Sequence, residues 1–394
     1  MHILINAASA QMGGAVTYLQ NVLRWFPEVA PDDQCTVYLP AATRAKFEEH
    51  PAFAETPNLR FETYPYAESG GAARLYFDQV AIPRLVRRHG IDVLFSSTGF
   101  GTVFPACPQV LLVRNPVYFN KDFHARYRQL GRSLQRNTLR RWHSLLSIRS
   151  ADIVMFPTRA MQDMVAQYIP LHGKRTEAIH YGFEHSAFSQ NGTALSDVEA
   201  AVRRWKAEGY AILLSVSTYA VHKNFEVLIE ALPHLKANGT RVKLLATVSR
   251  DRTADKAEYD ALLQRARELG VEDGFVELGY VPYQQLGPLY READLYVFPS
   301  FTESFGHSMV EAMAAGLPVV AAGTPVNQEV CGAAGFYFRT FDPVDCADKI
   351  TAVVQDAGQR ARYAEASVAR SKDFSWRRYA EQLIALCRDA AYPS

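Results

Sequence analysis

The chain has 394 residues, which is enough for two domains or at most three. Its 42 basic and 41 acidic residues nearly cancel, so total charge gives no reason to expect a nucleic-acid partner, and we expect none. The five cysteines are far apart and lack metal-binding spacing, which favours a reducing compartment and argues against structural zinc. Without a signal-peptide pattern or a long apolar run, we expect a cytoplasmic protein, with peripheral membrane contact left open.

The first predicted elements are a strand at residues 2–7, a turn containing Gly13 and Gly14, and a helix at residues 15–26. This order is typical of the start of a doubly wound α/β domain. The glycine pair would let a phosphate or sugar approach the backbone, or it would serve only a helix start that needs positive φ. It does not form a dinucleotide-binding fingerprint.

Six more strands, separated mostly by helical patterns, are predicted in the N-terminal half, so we expect a parallel sheet covered by helices. They lie at residues 35–39, 59–64, 93–96, 110–113, 153–156 and 176–181. Arg114 directly follows one of them, at the strand end where open α/β sheets bind ligands. It is a candidate for the site or an ordinary surface arginine.

Residues 123–149 are predicted to be helical and are strongly basic. An apolar stripe adjoins four arginines that recur every four residues, namely Arg128, Arg132, Arg136 and Arg140. Three interpretations stay open: a solvated helix face, a surface that docks on anionic lipid, and a direct contact with an anionic acceptor. The first 190 residues carry 20 Lys/Arg against 15 Asp/Glu, and much of that excess lies in this segment.

A polar segment at residues 185–197 predicts the domain boundary. We expect an N-terminal domain at 1–190, a C-terminal domain at 191–373 and a terminal helix at 374–394. The second domain repeats the β/α alternation, with strands at 212–216, 242–248, 275–278, 295–298, 319–322 and 336–338. Two similar domains with a cleft between them fit a reaction that joins two substrates.

The first loop of the second domain contains Ser217, Thr218, His222 and Lys223. Lys223 is well placed to pair with a phosphate, although a solvated loop lysine would have the same position. A segment containing Val281 ends another strand and would line the same edge.

Residues 299–316 lie between two predicted buried strands and form a loop followed by a helix. The loop carries Glu303, and the helix carries Glu311. Eight helical steps would leave these carboxylates about 80° apart, so they must serve different parts of a ligand. Gly306 near the helix start would admit a ligand to the free amides. Alternatively, Ser308 and Glu311 form a capping box.

The residues by themselves therefore point to two doubly wound domains that bind a sugar linked to a nucleoside diphosphate. Lys223 and helix-terminus amides would hold the diphosphate and stabilise it as a leaving group, while carboxylates would bind hydroxyls. No Asp-x-Asp pair stands at a strand end, so the protein itself would have to meet the leaving-group charge.

Several of these segments, in order, resemble the retaining glycosyltransferases with the GT-B fold, family 4 (group 1). The stretch from Glu303 to Gly306, followed by Glu311 and residues 312–320, is similar to the paired-glutamate signature of that family. Residues 222–224 are similar to its phosphate-binding loop, the Gly13–Gly14 pair to its N-terminal glycine loop, and residues 181–183 to the segment that enters its linker.

The resemblance implies a role for each matched residue. Glu311 would bind the ribose hydroxyls, Glu303 the donor sugar, and Lys223 the diphosphate, with no metal or other cofactor. Amides along the loop would meet the sugar and the diphosphate, and the terminal helix would cross back to the first domain. The implied donor set is Gly13, Gly14, Ser217, Thr218, His222, Lys223, Val281, Glu303, Ser304, Phe305, Gly306, His307 and Glu311.

The same resemblance implies transfer of a hexosyl group to a hydroxyl of a glycan or lipid-linked acceptor, as in bacterial surface polysaccharide assembly. The sequence departs from the family at Ser217 and Thr218, where many members have an arginine, and at Arg114, where many have a histidine. We therefore count Arg114 with Lys223 and Glu303 as catalytic candidates. The rival interpretations are a nucleotide-sugar 2-epimerase on the same fold and a non-catalytic sugar- or lipid-binding module.

Overall fold

In the computed structural model, the protein is described at residues 1–11, 14–53, 56–64, 70–184 and 196–393. It divides into two compact units. The N-terminal unit comprises residues Met1–Gly182 and Ser375–Ser394, and the C-terminal unit comprises Phe183–Phe374. The boundary predicted between residues 190 and 191 lies outside the described residues.

The N-terminal unit contains a seven-stranded parallel sheet with the strand order β3-β2-β1-β4-β5-β6-β7. Its strands are short, and three of the seven, at residues 93–96, 109–112 and 153–156, are buried at every position, as expected for a sheet covered by helices. The strands are β1 His2–Asn6, β2 Gln34–Tyr38, β3 Leu59–Glu62, β4 Val93–Ser96, β5 Gln109–Leu112, β6 Ile153–Phe156 and β7 Arg175–Ala178.

Eight helices of the N-terminal unit have described bounds, and the last of them comes from the chain terminus. They are α1 Gly14–Val29, α2 Ala41–Glu48, α3 Gly71–Tyr76, α4 Ile82–His89, α5 Lys121–Gln129, α6 Gln135–Ser150, α7 Arg159–Ala166 and, after the C-terminal unit, α16 Trp376–Ala391. A π-helical turn, Phe77–Ala81, joins α3 to α4. The predicted return of the terminal helix to the first domain is therefore confirmed.

A cluster of aromatic rings holds α16 against α1. The hydroxyls of Tyr18 and Tyr379 are 2.8 Å apart, and the ring of Trp376 stacks on that of Tyr181 at 5.9 Å. A Cβ at Gly182 would lie 2.0 Å from the Trp376 backbone nitrogen, so only glycine allows this close approach. Trp376 is thus a buried anchor of the helix.

The basic segment does not form one helix, so the prediction of a single helical face is wrong. Gly131 has φ of 67°, and its amide donates to the Arg128 carbonyl, while the Arg132 amide donates to the Tyr127 carbonyl. These bonds form a Schellman motif that ends α5. Arg128 therefore belongs to α5, Arg132 to the turn, and Arg136 and Arg140 to α6.

The C-terminal unit contains a six-stranded parallel sheet with the order β10-β9-β8-β11-β12-β13. Its strands are β8 Ala211–Ser215, β9 Val242–Ala246, β10 Phe275–Glu277, β11 Leu295–Phe298, β12 Val319–Ala322 and β13 Gly335–Phe338. All thirteen predicted strands are present in the described residues, with ends that differ by three residues at most. The predicted α/β class with two doubly wound domains is confirmed.

Helices cover both sheets, because burying the apolar stripe of each helix against a sheet is favourable. Those of the C-terminal unit are α8 Ser196–Ala207, α9 Phe225–Ala237, α10 Lys256–Glu268, α11 Tyr283–Glu292, α12 His307–Ala314, α13 Pro325–Cys331, α14 Pro343–Gln355 and α15 Ala357–Ser371. In this unit the strand order reverses between β8 and β11. The loops that follow these two strands therefore meet at the edge where such sheets bind ligands.

Candidate active site

The loops after β8 and β11 are joined through one backbone carbonyl. The carbonyl oxygen of His222 accepts hydrogen bonds from the Phe301 amide at 3.0 Å and from the Ser300 hydroxyl at 3.1 Å. Ser300 and Phe301 are buried, so these bonds are shielded from water. The two loops consequently have a fixed position relative to each other.

Asn224 ties the same loops together from the other side. It has φ of 54°, a left-handed conformation that asparagine tolerates better than most residues. Its side-chain amide donates to the carbonyls of Thr340 at 2.8 Å and Pro299 at 3.3 Å. Asn224 thereby ends the short 3₁₀ turn Val221–Lys223 and begins α9, which leaves Lys223 pointing toward the loop after β11.

Lys223 and Glu303 form an ion pair in which the ammonium nitrogen lies 2.6 Å from a carboxylate oxygen. Both side chains are mostly buried, with 20% and 14% of their surfaces exposed. Burial opposes ionisation of Glu303, but the Lys223 charge, the neighbouring His222 ring and hydrogen bonds from Lys223 and Ser300 outweigh it and lower the pKa of Glu303. Glu303 is therefore a carboxylate at neutral pH, with Lys223 as its counter-ion.

His222 is neutral at physiological pH. Burial, followed by the nearby Lys223 charge, lowers its pKa to about 4, although Glu303 and Asp255 act in the opposite direction. A neutral imidazole beside the ion pair can donate or accept a hydrogen bond without adding charge.

Gly306 precedes α12 and has φ of 90°, a conformation that strains any other residue. A Cβ at this position would also lie 2.5 Å from the terminal methyl group of Met309. No side chain caps the start of α12, which begins at His307. The positive end of the helix dipole thus lies next to the loop that carries Glu303.

Glu311 lies inside α12 and is 9% exposed. Its carboxylate accepts a hydrogen bond of 2.8 Å from the Tyr290 hydroxyl of α11. Burial raises the pKa of Glu311 to about 7, while the bond from Tyr290 acts against that rise. A buried carboxylate that changes charge near neutral pH is typical of functional sites.

The capping-box interpretation of Ser308 and Glu311 is wrong. The residue that precedes the helix is Gly306, whereas Ser308 is already inside its first turn. A capping box needs the serine at the capping position. Glu311 is instead held by Tyr290, from a different helix.

The other predicted donor-binding residues of this unit occupy the same sheet edge. Ser217 is fixed by its amide, which donates to the Thr247 hydroxyl at 2.9 Å, whereas Thr218 is exposed. Val281 is buried after β10. Ser304, Phe305 and His307 belong to the loop and helix start, and Phe305 also packs edge to face on Phe374 at 5.5 Å.

The predicted residues of the N-terminal unit have a different environment. Gly14 begins α1 and is exposed, and Gly13 lies outside the described residues. Arg114 follows β5, and its guanidinium lies 5.1 Å from the ring centre of Tyr18. Burial raises the pKa of Tyr181 to about 12, against the effect of the Arg114 charge. The catalytic role of Arg114 stays a prediction, because the aromatic cluster already gives its charge a partner.

Sequence reasoning missed Tyr290, whose position in α11 gave no signal until the fold brought it to Glu311. It also missed Asn327, whose amide donates to the carbonyls of Ser300 at 3.1 Å and Ala322 at 2.9 Å. Arg252 lies 3.9 Å from the ring centre of Tyr280 at the same sheet edge. Its position after β9 would have marked it as a cation at a strand end.

The described residues lack two kinds of feature. They contain no group of three or more His, Cys, Asp or Glu side chains that could hold a metal ion. In the same part of the chain, no helix is long and apolar enough to cross a membrane.

Known protein families match both units. Residues 12–187 match the family model described as Glycosyltransferase Family 4, and residues 198–370 match that of Glycosyl transferases group 1. The chain therefore belongs to glycosyltransferase family 4 (group 1).

Two curated relatives show how far the similarity extends. The chain is 26% identical over 249 residues to mannosylfructose-phosphate synthase of Agrobacterium fabrum, which covers 62% of this chain and 54% of the relative. It is 33% identical over 178 residues to O-antigen chain mannosyltransferase B of Escherichia coli, which covers 45% of each. The chain thus spans about half the length of the curated relatives it matches.

Solved structures show the same fold over almost the whole chain. The Anabaena protein HepE in complex with UDP and glucose has a TM-score of 0.69 at 21% identity, covering 98% of both chains. The match defines the fold as GT-B, as the resemblance implied.

Proposed function

We propose that this protein transfers a hexosyl group, with retention of anomeric configuration, from a nucleotide-diphosphate sugar to an acceptor hydroxyl. The observation that carries the proposal is the ion pair of Lys223 and Glu303, which joins the two loops at the switch point of the C-terminal sheet. Helix α12, whose N-cap makes no side-chain bond, follows Glu303 in the sequence and carries the buried Glu311. The complex of HepE with UDP and glucose supports this donor class.

The donor would use these groups in different ways. Lys223 has three donor hydrogens, so it can remain paired with Glu303 while it also contacts a phosphate oxygen. Sugar hydroxyls would donate to the Glu303 carboxylate, whose lowered pKa keeps it an acceptor. Glu311 would accept from the ribose hydroxyls, and the α12 amides would face the diphosphate.

The reaction would proceed by departure of the diphosphate, whose growing negative charge Lys223 and the α12 dipole stabilise. We assign Glu303 no nucleophilic role, because its carboxylate is already paired with Lys223. In the front-face mechanism that we favour, a phosphate oxygen of the leaving group takes the proton of the acceptor hydroxyl. The proposal includes no metal and no other cofactor.

The acceptor would be a glycan or a lipid-linked saccharide in bacterial surface polysaccharide assembly. The similarity to the Escherichia coli O-antigen chain mannosyltransferase B supports this acceptor class.

A peripheral location at the cytoplasmic membrane face is part of the same proposal, with the four arginines Arg128, Arg132, Arg136 and Arg140 as its surface. Leu139, Trp142 and Leu146 support it, because they repeat at helical spacing on α6 and are 71%, 60% and 45% exposed. Replacing Leu139 and Trp142 by serine should weaken sedimentation with phosphatidylglycerol vesicles several-fold. Equal sedimentation of this variant and the wild type would contradict the membrane role.

The test is a product analysis with a panel of nucleotide sugars and saccharide acceptors. Lys223→Ala should lower the transfer rate by roughly 10²–10³-fold, as expected when a leaving-group contact is removed. Lys236→Ala, an exposed lysine at the end of α9, is the matched control and should keep full activity. NMR of the product should show the anomeric configuration of the donor.

Three outcomes would contradict parts of this proposal. A product with inverted anomeric configuration would contradict the retaining mechanism. An epimerised nucleotide sugar formed without acceptor would favour the 2-epimerase. Equal activity of the Lys223→Ala and Lys236→Ala variants would remove the role of the ion pair.

A further inference from the structure

A cavity of about 870 Å³ lies in the N-terminal unit, and none of the residues assigned to the donor lines it. Helices α5 and α6 and the residues just after α7 form its walls. Its volume falls within the range of small-molecule sites, and it is much larger than a single inorganic ion needs. The lining residues are Lys121, His124, Arg128, Leu134, Gln135, Thr138, Leu139, Arg141 and Tyr168.

The spacing of the lining residues explains why three cationic side chains lie around one cavity. On α5, Lys121, His124 and Arg128 recur at three and four residues, so they share a helix face. The Schellman motif at Gly131 then reverses the chain, and α6 presents Arg141 to the same cavity. The turn that broke the predicted continuous helix is thus what assembles the pocket.

The positive charge of this pocket is not neutralised by the protein. Among the described residues, Lys121, Arg128 and Arg141 form no ion pair with any carboxylate. Asp122 is the one acidic residue between positions 121 and 150, against eight Lys/Arg. Three cations around one cavity repel one another, so an anion bound among them is stabilised.

Helix α6 adds to the same potential. It has 16 residues, and its N-cap residue, Leu134, makes no capping bond, while the Gln135 amide donates to the Ser133 hydroxyl at 3.3 Å. Leu134, Gln135 and Thr138, from this end of the helix, line the cavity. The positive end of the α6 dipole therefore lies at the pocket, where it favours an anion.

The remaining lining residues suit an organic group attached to that anion. The Arg141 guanidinium lies 4.8 Å from the ring centre of Tyr168, and Phe119 packs on the other edge of that ring at 5.8 Å. Arg141 is therefore held in place for contact with a ligand. Leu134 and Leu139 provide apolar surface, while Gln135 and Thr138 provide hydrogen-bonding groups.

We propose that this pocket binds the phosphate group of a phosphate-bearing organic molecule, with Lys121, Arg128 and Arg141 contacting the phosphate oxygens. Arginine and lysine make charge-assisted hydrogen bonds to phosphate, and the arginine fork fixes its orientation. The phosphate belongs either to a soluble phosphorylated compound or to a lipid headgroup. The site does not depend on the donor chemistry of the C-terminal unit.

The test compares two double variants of the full-length protein that lose the same charge. Lys121→Gln with Arg128→Gln removes two pocket cations, both exposed and without a side-chain partner among the described residues. Arg126→Gln with Arg149→Gln removes two exposed arginines of the same helices that do not line the cavity. Calorimetry with glycerol 3-phosphate and sedimentation with phosphatidylglycerol vesicles measure the two possible sources.

The pocket variant should lose at least about tenfold in affinity for the source that the wild type binds, while the control variant stays within about twofold. Binding of glycerol 3-phosphate assigns a soluble ligand, and binding of vesicles alone assigns a lipid headgroup. If the wild type binds neither probe, or if both variants lose affinity equally, the pocket is not a phosphate site. Either result is independent of transferase activity, which is measured separately with nucleotide sugars.

A second measurement locates the anion. The Nε2 atom of His124 lies 2.9 Å from the Val117 carbonyl oxygen. Burial, together with the charges of Arg141 and Arg128, lowers the pKa of His124, while the bond to Val117 acts against that lowering. A phosphate bound in the pocket should raise the pKa of His124 in an NMR titration with glycerol 3-phosphate. An unchanged His124 pKa while this probe binds would place the binding elsewhere and overturn the proposal.

Discussion

The two units have the same strand order around their switch points, but the charged side chains near those points have different partners in the two units. In the N-terminal unit, Asp78 is 1% exposed and accepts from the Asn6 amide at 2.8 Å and from Arg74 at 2.9 Å. Arg74 also donates to the Asn6 side-chain oxygen at 3.1 Å. In the C-terminal unit, Lys223 and Glu303 form a mostly buried pair, and Glu311 accepts a hydrogen bond from Tyr290.

The difference separates a polar network that supports the fold from one suited to a ligand. Asp78, Asn6 and Arg74 hydrogen-bond with one another, and the Nη1 atom of Arg74 is the part of this network left without a partner among the described residues. Buried polar groups that are paired in this way contribute to a unique fold. Glu311 is a buried carboxylate whose raised pKa shows that its charge is poorly stabilised by the protein. A protein that keeps such a group sacrifices stability, as functional sites often do.

The largest expected effect is on the N-terminal network. Asp78→Ala should lower the free energy of unfolding by about 3–5 kcal/mol, because it leaves Arg74 with a mostly buried, uncompensated charge. Urea denaturation followed by circular dichroism measures the change. Asp163→Ala, an exposed residue of α7, should change the free energy by less than about 0.5 kcal/mol. A loss below 1 kcal/mol at Asp78 would show that the network is not structural.

Glu311→Gln should stabilise the protein above neutral pH. Burial raises the pKa of Glu311 to about 7, so the folded state binds more protons than the unfolded state between about pH 4.5 and pH 7. The free energy of unfolding therefore falls as pH rises through this window, by up to about 3 kcal/mol. Glutamine carries no charge to desolvate and still accepts from Tyr290.

At pH 8 the Glu311→Gln variant should therefore be more stable than the wild type by up to about 3 kcal/mol, with little difference at pH 4.5. Urea denaturation at the two pH values measures this effect. Glu365→Gln, at an exposed position of α15, is the control and should show no pH-dependent gain. A Glu311→Gln variant that is destabilised at pH 8 would contradict the account of its pKa.

Most of the fold could be predicted from the sequence, because buried parallel strands are short apolar runs bounded by turns. Periodicity failed at residues 123–149, where the positions of the arginines continued across a break. The signal for that break was Gly131, the residue type that ends helices in the left-handed conformation. It was outweighed by the regular arginine spacing on either side.

Less of the candidate site could be predicted. The motifs located Lys223, Glu303 and Glu311, since each follows a strand or opens the helix after one. They could not show that Lys223 pairs with Glu303, because 80 residues separate the two in the chain. The role of Tyr290 could not be predicted either, because a tyrosine at an apolar helical position has the sequence pattern of a core residue. Such contacts depend on tertiary packing.

The smallest effect, and the sharpest contrast between the units, is the pH dependence of donor affinity. If the Glu311 carboxylate binds the ribose hydroxyls, its pKa of about 7 means that the ionised fraction falls about tenfold between pH 8 and pH 6. The dissociation constant of a nucleotide sugar, measured by calorimetry, should rise about tenfold over that range.

His222, with its pKa lowered to about 4, does not titrate between pH 6 and pH 8, and Glu303 remains a carboxylate. The Glu311→Gln variant should bind more weakly at pH 8 and show a flat profile, whereas Asp163→Ala, at an exposed position of α7, should keep the wild-type slope. A wild-type affinity that is constant from pH 8 to pH 6 would show that Glu311 does not bind the ribose hydroxyls and is only a buried structural acid.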